Sequence, residues 1–123
     1  VHAHPTYCTA LAMLGREIPP AHYMVAAFGG SNVRCAPFAI YGTQDLSDHA
    51  VAALQDRTAC LLANHGSVAI GADLETAMWR AVELETLARQ YVTALHIGEP
   101  VILSDADIQT TLAAFSGYGL TDS

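Results

Sequence analysis

The sequence predicts an α/β domain in which a sheet is covered by helices on both faces. Three observations predict it. Residues 58–63 form a continuous apolar run of strand length, which suits a strand buried on both sides. From Leu74 to Leu95 apolar side chains recur at helical spacing. Shorter strand and helix patterns alternate along the rest of the 123 residues, with no internal repeat, low-complexity tract or linker, so the chain is read as one domain.

Taken in order, Val1 to His4 reads as the end of a strand. Pro5 and Thr6 open a short helix to Leu14, with Thr6 as its N-cap and Gly15 closing it. Ile18-Pro19-Pro20 is extended, because a residue before proline is pushed out of the helical region. His22 to Phe28 is a second short helix, stopped by Gly29-Gly30. Residues 32–40 lack a clear period and contain Pro37, so they are expected to be short extended pieces and loop. Ser47 is expected to cap a helix to Asp56, with Ala50, Val51 and Leu54 facing inward.

The buried strand from Thr58 to Ala63 ends in the turn Asn64-His65-Gly66. Ser67 to Ile70 then forms a second strand, as a hairpin or a continuation of the sheet. Asp73 caps the long helix, which runs to about His96. Its inner face is read as Leu74, Met78, Ala81, Leu84, Ala88, Tyr91, Val92 and Leu95. Gly98 and Pro100 end it. Ser104 starts the last helix with Asp107 as a capping-box partner, and Gly117 to Gly119 end it.

Charge and composition exclude several functions. The formal charge is −7, with five Arg and no Lys. An acidic chain with scattered Arg does not suit a nucleic-acid groove or an anionic membrane surface. No apolar run reaches the roughly 20 residues of a membrane span. Without lysine, the segment cannot form a Schiff base. Cys8, Cys35 and Cys60 show no CxxC spacing, and read as free thiols of a cytoplasmic protein. The chain begins at Val1 in mid-pattern, without an initiator Met or a signal peptide, and is read as the later part of a longer protein or as one piece of a cleaved one.

The chemistry concentrates in three histidines. His2 and His4 lie two apart, and on an extended segment such residues point to the same side. His65 sits at the exit of the buried strand, next to a glycine that permits close backbone approach. Three imidazoles with one open position are a catalytic pattern for zinc or a similar divalent ion. His22, His49 and His96 are given no metal role. Cys8 could serve as a soft ligand, but its apolar context suits a buried thiol better.

Further motifs extend the pattern: Cys8-Thr9-Ala10, Ile18-Pro19, His22-Tyr23-Met24, Gly29-Gly30, Cys35-Ala36-Pro37, Gly42-Thr43 and Ala77-Met78-Trp79. Together with Val1-His2-Ala3-His4 and Asn64-His65-Gly66, in this order and spacing, they resemble the class II aldolase/adducin family. The resemblance runs to about Leu120 and is nearest to the branch that contains L-fuculose-1-phosphate aldolase. It implies a three-layer αβα fold with a central, largely antiparallel sheet, of which this chain is the C-terminal portion. It also implies a metal-dependent aldolase that cleaves a ketose phosphate through an enediolate.

The metal would be Zn2+, or another divalent ion such as Mn2+ or Co2+, on residues matching His2, His4 and His65. A proton-donating tyrosine from the adjacent subunit matches Tyr23. An aromatic wall residue matches Tyr41, and residues that help close the site match Phe115 and Tyr118. The implied partners are a small phosphorylated sugar and three further copies in a homotetramer with intersubunit sites, with no nucleic acid and no membrane. The family's glutamate base and phosphate cradle lie upstream of the histidine strand, so the 123 residues alone are expected not to turn over. Two other readings stand beside the aldolase. One is a decarboxylase of a 3-oxo sugar-acid phosphate, or a sugar-phosphate epimerase, of the same family. The other is a non-catalytic, adducin-like interaction module.

Overall fold

In the computed structural model, residues 1–115 are described. The elements, in order, are β1 (His2–Ala3), α1 (Thr6–Met13), a 3-10 helix (Tyr23–Phe28), β2 (Cys35–Ala36), α2 (Gln44–Ala53), β3 (Ala59–Leu62), β4 (Gly66–Ala69), α3 (Leu74–Ile97) and α4 (Asp105–Phe115). The strands make one sheet in the order β1-β4-β3-β2. The β1–β4 and β3–β4 pairs are antiparallel, and β2 runs parallel to β3. The sheet is therefore largely antiparallel, with one parallel edge.

β3 is buried throughout, and the strand period of two assigns its side chains to two different cores. Ala59 and Leu61 join Leu11, Phe28, Leu84, Leu87 and Ile108 in the main core, which is built with α1, α3, α4 and the 3-10 helix. Cys60 and Leu62 join Ala36 and Ala53, with Leu46 and Ala50 of α2 and its C-cap Leu54 against them. The sheet thus lies between two helix layers. The expectation of helices on both faces holds, and the continuous apolar run is its cause: a strand covered twice has no polar face.

Several boundaries differ from the sequence reading. α1 takes Thr6 as its first residue, and its N-cap is Pro5, which has no side-chain acceptor. The second short helix is a 3-10 helix, opened by His22, whose Nδ1 accepts from the Met24 N–H at 3.0 Å. Gly29, at φ 100°, ends it in the left-handed region that glycine tolerates. α2 starts three residues before the expected cap. Thr43, not Ser47, accepts from the Leu46 N–H at 3.3 Å, and the chain reaches Thr43 through Gly42 at φ 74°. Ala50 and Leu54 pack inward as expected, together with Leu46 and Ala53, whereas Val51 stands 64% exposed.

α3 begins where expected, with Asp73 accepting from the Thr76 N–H at 2.7 Å. Its first two turns, however, bury Thr76, Ala77 and Arg80. Leu74 and Met78 lie roughly 110° to 150° around the helix from the centre of that stripe and are exposed. The last helix opens with a reciprocal box. The Ser104 N–H reaches the Asp107 carboxylate at 3.3 Å, and the Asp107 N–H reaches the Ser104 hydroxyl at 3.1 Å. The expected stop at Gly117 to Gly119 lies outside the described residues. Among the described residues, no helix is long and apolar enough to cross a membrane.

Candidate metal centre

Two adjacent strands and the loop between β3 and β4 bring the three histidines together. In the β1–β4 pair, His2 lies opposite Val68 and Ala3 opposite Ser67, so the paired histidines lie beside the β4 end where the hairpin turns. The hairpin loop is Ala63-Asn64-His65, closed by the His65 N–H on the Leu62 carbonyl at 3.0 Å. Asn64 takes the left-handed conformation at φ 58°, a position that asparagine tolerates better than most residues. Its N–H is anchored on the Ala12 carbonyl of α1 at 2.9 Å.

Gly66 has a different task from the one a turn glycine usually has. A Cβ there would overlap the Ala3 carbonyl and come 2.8 Å from Cδ2 of His4. The missing side chain lets β1 and the residue after it approach close enough for the His2 and His4 imidazoles to meet that of His65.

The three rings form a nearly equilateral cluster. Their centroids are 5.0 Å apart for His2 and His4, 4.8 Å for His2 and His65, and 4.9 Å for His4 and His65. One ligating atom from each lies within 4.8 Å of the others. A tetrahedral zinc site requires nitrogens about 3.3 Å apart, so binding would draw the three rings closer together. Nδ1 of His2 lies 2.8 Å from the Ser67 carbonyl, which only accepts, so Nδ1 carries the proton and leaves Nε2 as the free lone pair. Partial burial, together with the charges that His2 and His4 would carry, holds His65 below its ordinary value and favours the neutral, ligating form. The donor set therefore fits a divalent ion with affinity for imidazole.

An open cavity of about 420 Å³ lies beside the rings, walled on its other side by Phe38, Ile40 and Tyr41. This wall is the loop between β2 and α2, of which the sequence singles out only Tyr41. Tyr23 lies elsewhere: it is 51% exposed on the 3-10 helix, with its ring stacked on His22 at 4.7 Å. Phe115 packs against the main core rather than this cavity. Tyr118 lies outside the described residues. Cys8 is fully buried, and its thiol is pushed up by burial and by the neighbouring Glu85 carboxylate, which leaves it a protonated core residue. All three cysteines are free thiols.

Comparison with known proteins fixes the family. The model of the class II aldolase and adducin N-terminal domain matches residues 1–92. The chain belongs to the class II aldolase and adducin family. It is 50% identical over 121 residues to L-fuculose phosphate aldolase of Escherichia coli O6:H1, covering 98% of this chain and 56% of that protein. It is 49% identical over 119 residues to 5-methylthioribulose-1-phosphate/5-deoxyribulose-1-phosphate aldolase of Rhodospirillum rubrum, covering 97% and 54%. A solved L-fuculose 1-phosphate aldolase superposes with a TM-score of 0.90 at 42% identity, over 94% of this chain and 54% of that one. The chain thus has the class II aldolase α/β fold and spans about half the length of the relatives it matches.

Proposed function

We propose that the protein containing this chain is a divalent-metal-dependent aldolase that cleaves a small ketose phosphate. The observation that carries the reading is the convergence of His2, His4 and His65, with one ligating atom from each within 4.8 Å of the others. Those residues would hold Zn2+, or Mn2+ or Co2+. A bound cation supplies Lewis acidity for the negative charge left on the substrate oxygens when the carbon–carbon bond breaks. Relatives named as aldolases of two different sugar phosphates support the reaction class and leave the sugar open.

The chain's own residues divide the remaining work. Ser67 holds His2 in the tautomer that presents Nε2. Phe38, Ile40 and Tyr41 wall the cavity and offer an apolar surface on one side of the rings. The Tyr23 hydroxyl, brought by a neighbouring subunit of a homotetramer, donates a proton to the aldehyde oxygen in the synthetic direction. Phe115 and Tyr118 are assigned to closing the site from the C-terminal end. The base that takes the substrate hydroxyl proton, and the phosphate contacts, are assigned to the part of the protein outside these 123 residues. Three free thiols and an acidic surface suit a cytoplasmic enzyme.

The test is metal analysis of the full-length protein, followed by turnover of ketose phosphates. Near-stoichiometric metal with release of an aldehyde and a three-carbon ketone phosphate supports the aldolase. Steady carbon dioxide without aldehyde reassigns it as a decarboxylase. Metal below about a tenth of an equivalent per subunit favours an interaction module.

A further inference from the structure

We infer that Glu85 of α3 is a positioning residue that holds His4 in place for metal binding, acting through the first turn of α1. This rests on the metal-binding reading above. A helix normally satisfies its first N–H groups with a side chain at the N-cap. Here the N-cap is Pro5, which has none to offer. The acceptor comes instead from 77 and 78 residues away: Oε2 of Glu85 takes the Tyr7 N–H at 3.0 Å, and Oε1 takes the Cys8 N–H at 2.9 Å. One carboxylate thus spans two orphan donors, in the charge-assisted geometry that is strongest and most directional. It also sits at the positive end of the α1 dipole.

The consequence falls on His4. Only Pro5 separates it from the clamped turn, and the proline ring fixes φ there, at −73°. Few soft torsions therefore lie between the Glu85 carboxylate and the His4 imidazole. Arg89, one turn further along α3, stands 5.8 Å from the centre of the Tyr7 ring, so α3 holds both the backbone and the side chain of that residue. On its other side, β1 is set by its pairing with β4. His4 is thus suspended between a sheet edge and a helix start, and Glu85 fixes the helix start.

A cap that served only stability would weaken the fold without singling out one ligand. A cap that positions His4 would weaken metal binding only while His4 is there to be positioned. Glu85→Gln in the full-length protein separates these cases. It keeps one acceptor but turns an NH2 donor toward the other N–H. Zinc affinity is measured by chelator competition in wild type, Glu85→Gln, His4→Ala and the double variant, with a thermal melt of each.

The expected result is a 10- to 100-fold weaker affinity in Glu85→Gln, and no further loss when the change is added to His4→Ala. An affinity within about twofold of wild type overturns the inference and leaves the metal reading intact. An equal loss in the His4→Ala background also overturns it, because Glu85 would then act on the whole fold. A wild-type protein that binds no zinc overturns the metal reading itself, and the inference with it. Glu85→Asp, which keeps the charge but shortens the reach, runs the same cycle if the amide variant does not fold.

Discussion

Replacing Gly66 with alanine is the sharpest mechanical test of the histidine cluster. The added methyl would overlap the Ala3 carbonyl and come 2.8 Å from Cδ2 of His4. A carbon–oxygen contact relaxes to about 3.3 Å or more, so β1 must retreat by roughly 1 Å. β4 has little room to yield instead, since Gly66 is buried and in register with Leu62 of β3. β1 carries His2 and leads directly into His4, and metal–ligand distances tolerate only about 0.2 Å. Zinc affinity is expected to fall by about 10²-fold or more. Overpacking should also cost about 1–3 kcal/mol, seen as a melting point lower by roughly 2–12 °C in the metal-free protein. Chelator competition and a thermal melt read the two effects separately. Wild-type zinc affinity in the alanine variant, with β1 unmoved in its crystal structure, would refute the reasoning.

Three further outcomes are expected. His65→Ala should lower zinc affinity steeply while far-UV circular dichroism stays native, because the ring sits at a partly exposed loop; unchanged affinity would return His65 to the role of a turn residue. Tyr23→Phe in the full-length protein should keep its metal and lose turnover by about 10²-fold or more, whereas wild-type rates would remove Tyr23 from the mechanism. In the metal-free protein, the depressed His65 value makes the unfolded chain the stronger proton binder. Its contribution to stability is therefore present above the ordinary imidazole value of 6.5 and lost as pH falls through the folded value. Melts across that range should show less acid sensitivity in His65→Ala than in wild type, and parallel curves would contradict the assignment.

Much of this architecture was legible because it is local. The buried run at 58–63, the Asp73 cap and the Ser104/Asp107 box each announce themselves within a few residues, and each lies where it was read. The inward faces read for α2 and α3 hold at Ala50, Leu54, Ala81, Leu84, Ala88, Tyr91, Val92 and Leu95, and fail at three positions. Val51, Leu74 and Met78 fit a helical period, yet which side faces inward depends on where the helix starts and what it packs against. Thr43 and Ser47 are equally good caps in sequence, and Gly42 decided between them by turning the chain just ahead of Thr43.

The histidines themselves were readable from spacing and from the glycine beside His65. The reason for that glycine was not, because its need for space comes from Ala3 and His4, over 60 residues away in sequence. Glu85 left no signal at all. A carboxylate on a long amphipathic helix reads as a solvated charge until the fold sets it at the start of α1. Phe38 and Ile40 were likewise hidden in a loop without period.

X-ray absorption at the zinc edge of the full-length, metal-loaded protein measures the ligands without assuming them. Three imidazoles at about 2.0–2.1 Å, with the multiple-scattering pattern of the ring and no sulfur, is the expected first shell. A shell containing sulfur at about 2.3 Å, or fewer than three imidazoles, would contradict the assignment of His2, His4 and His65 as the metal site.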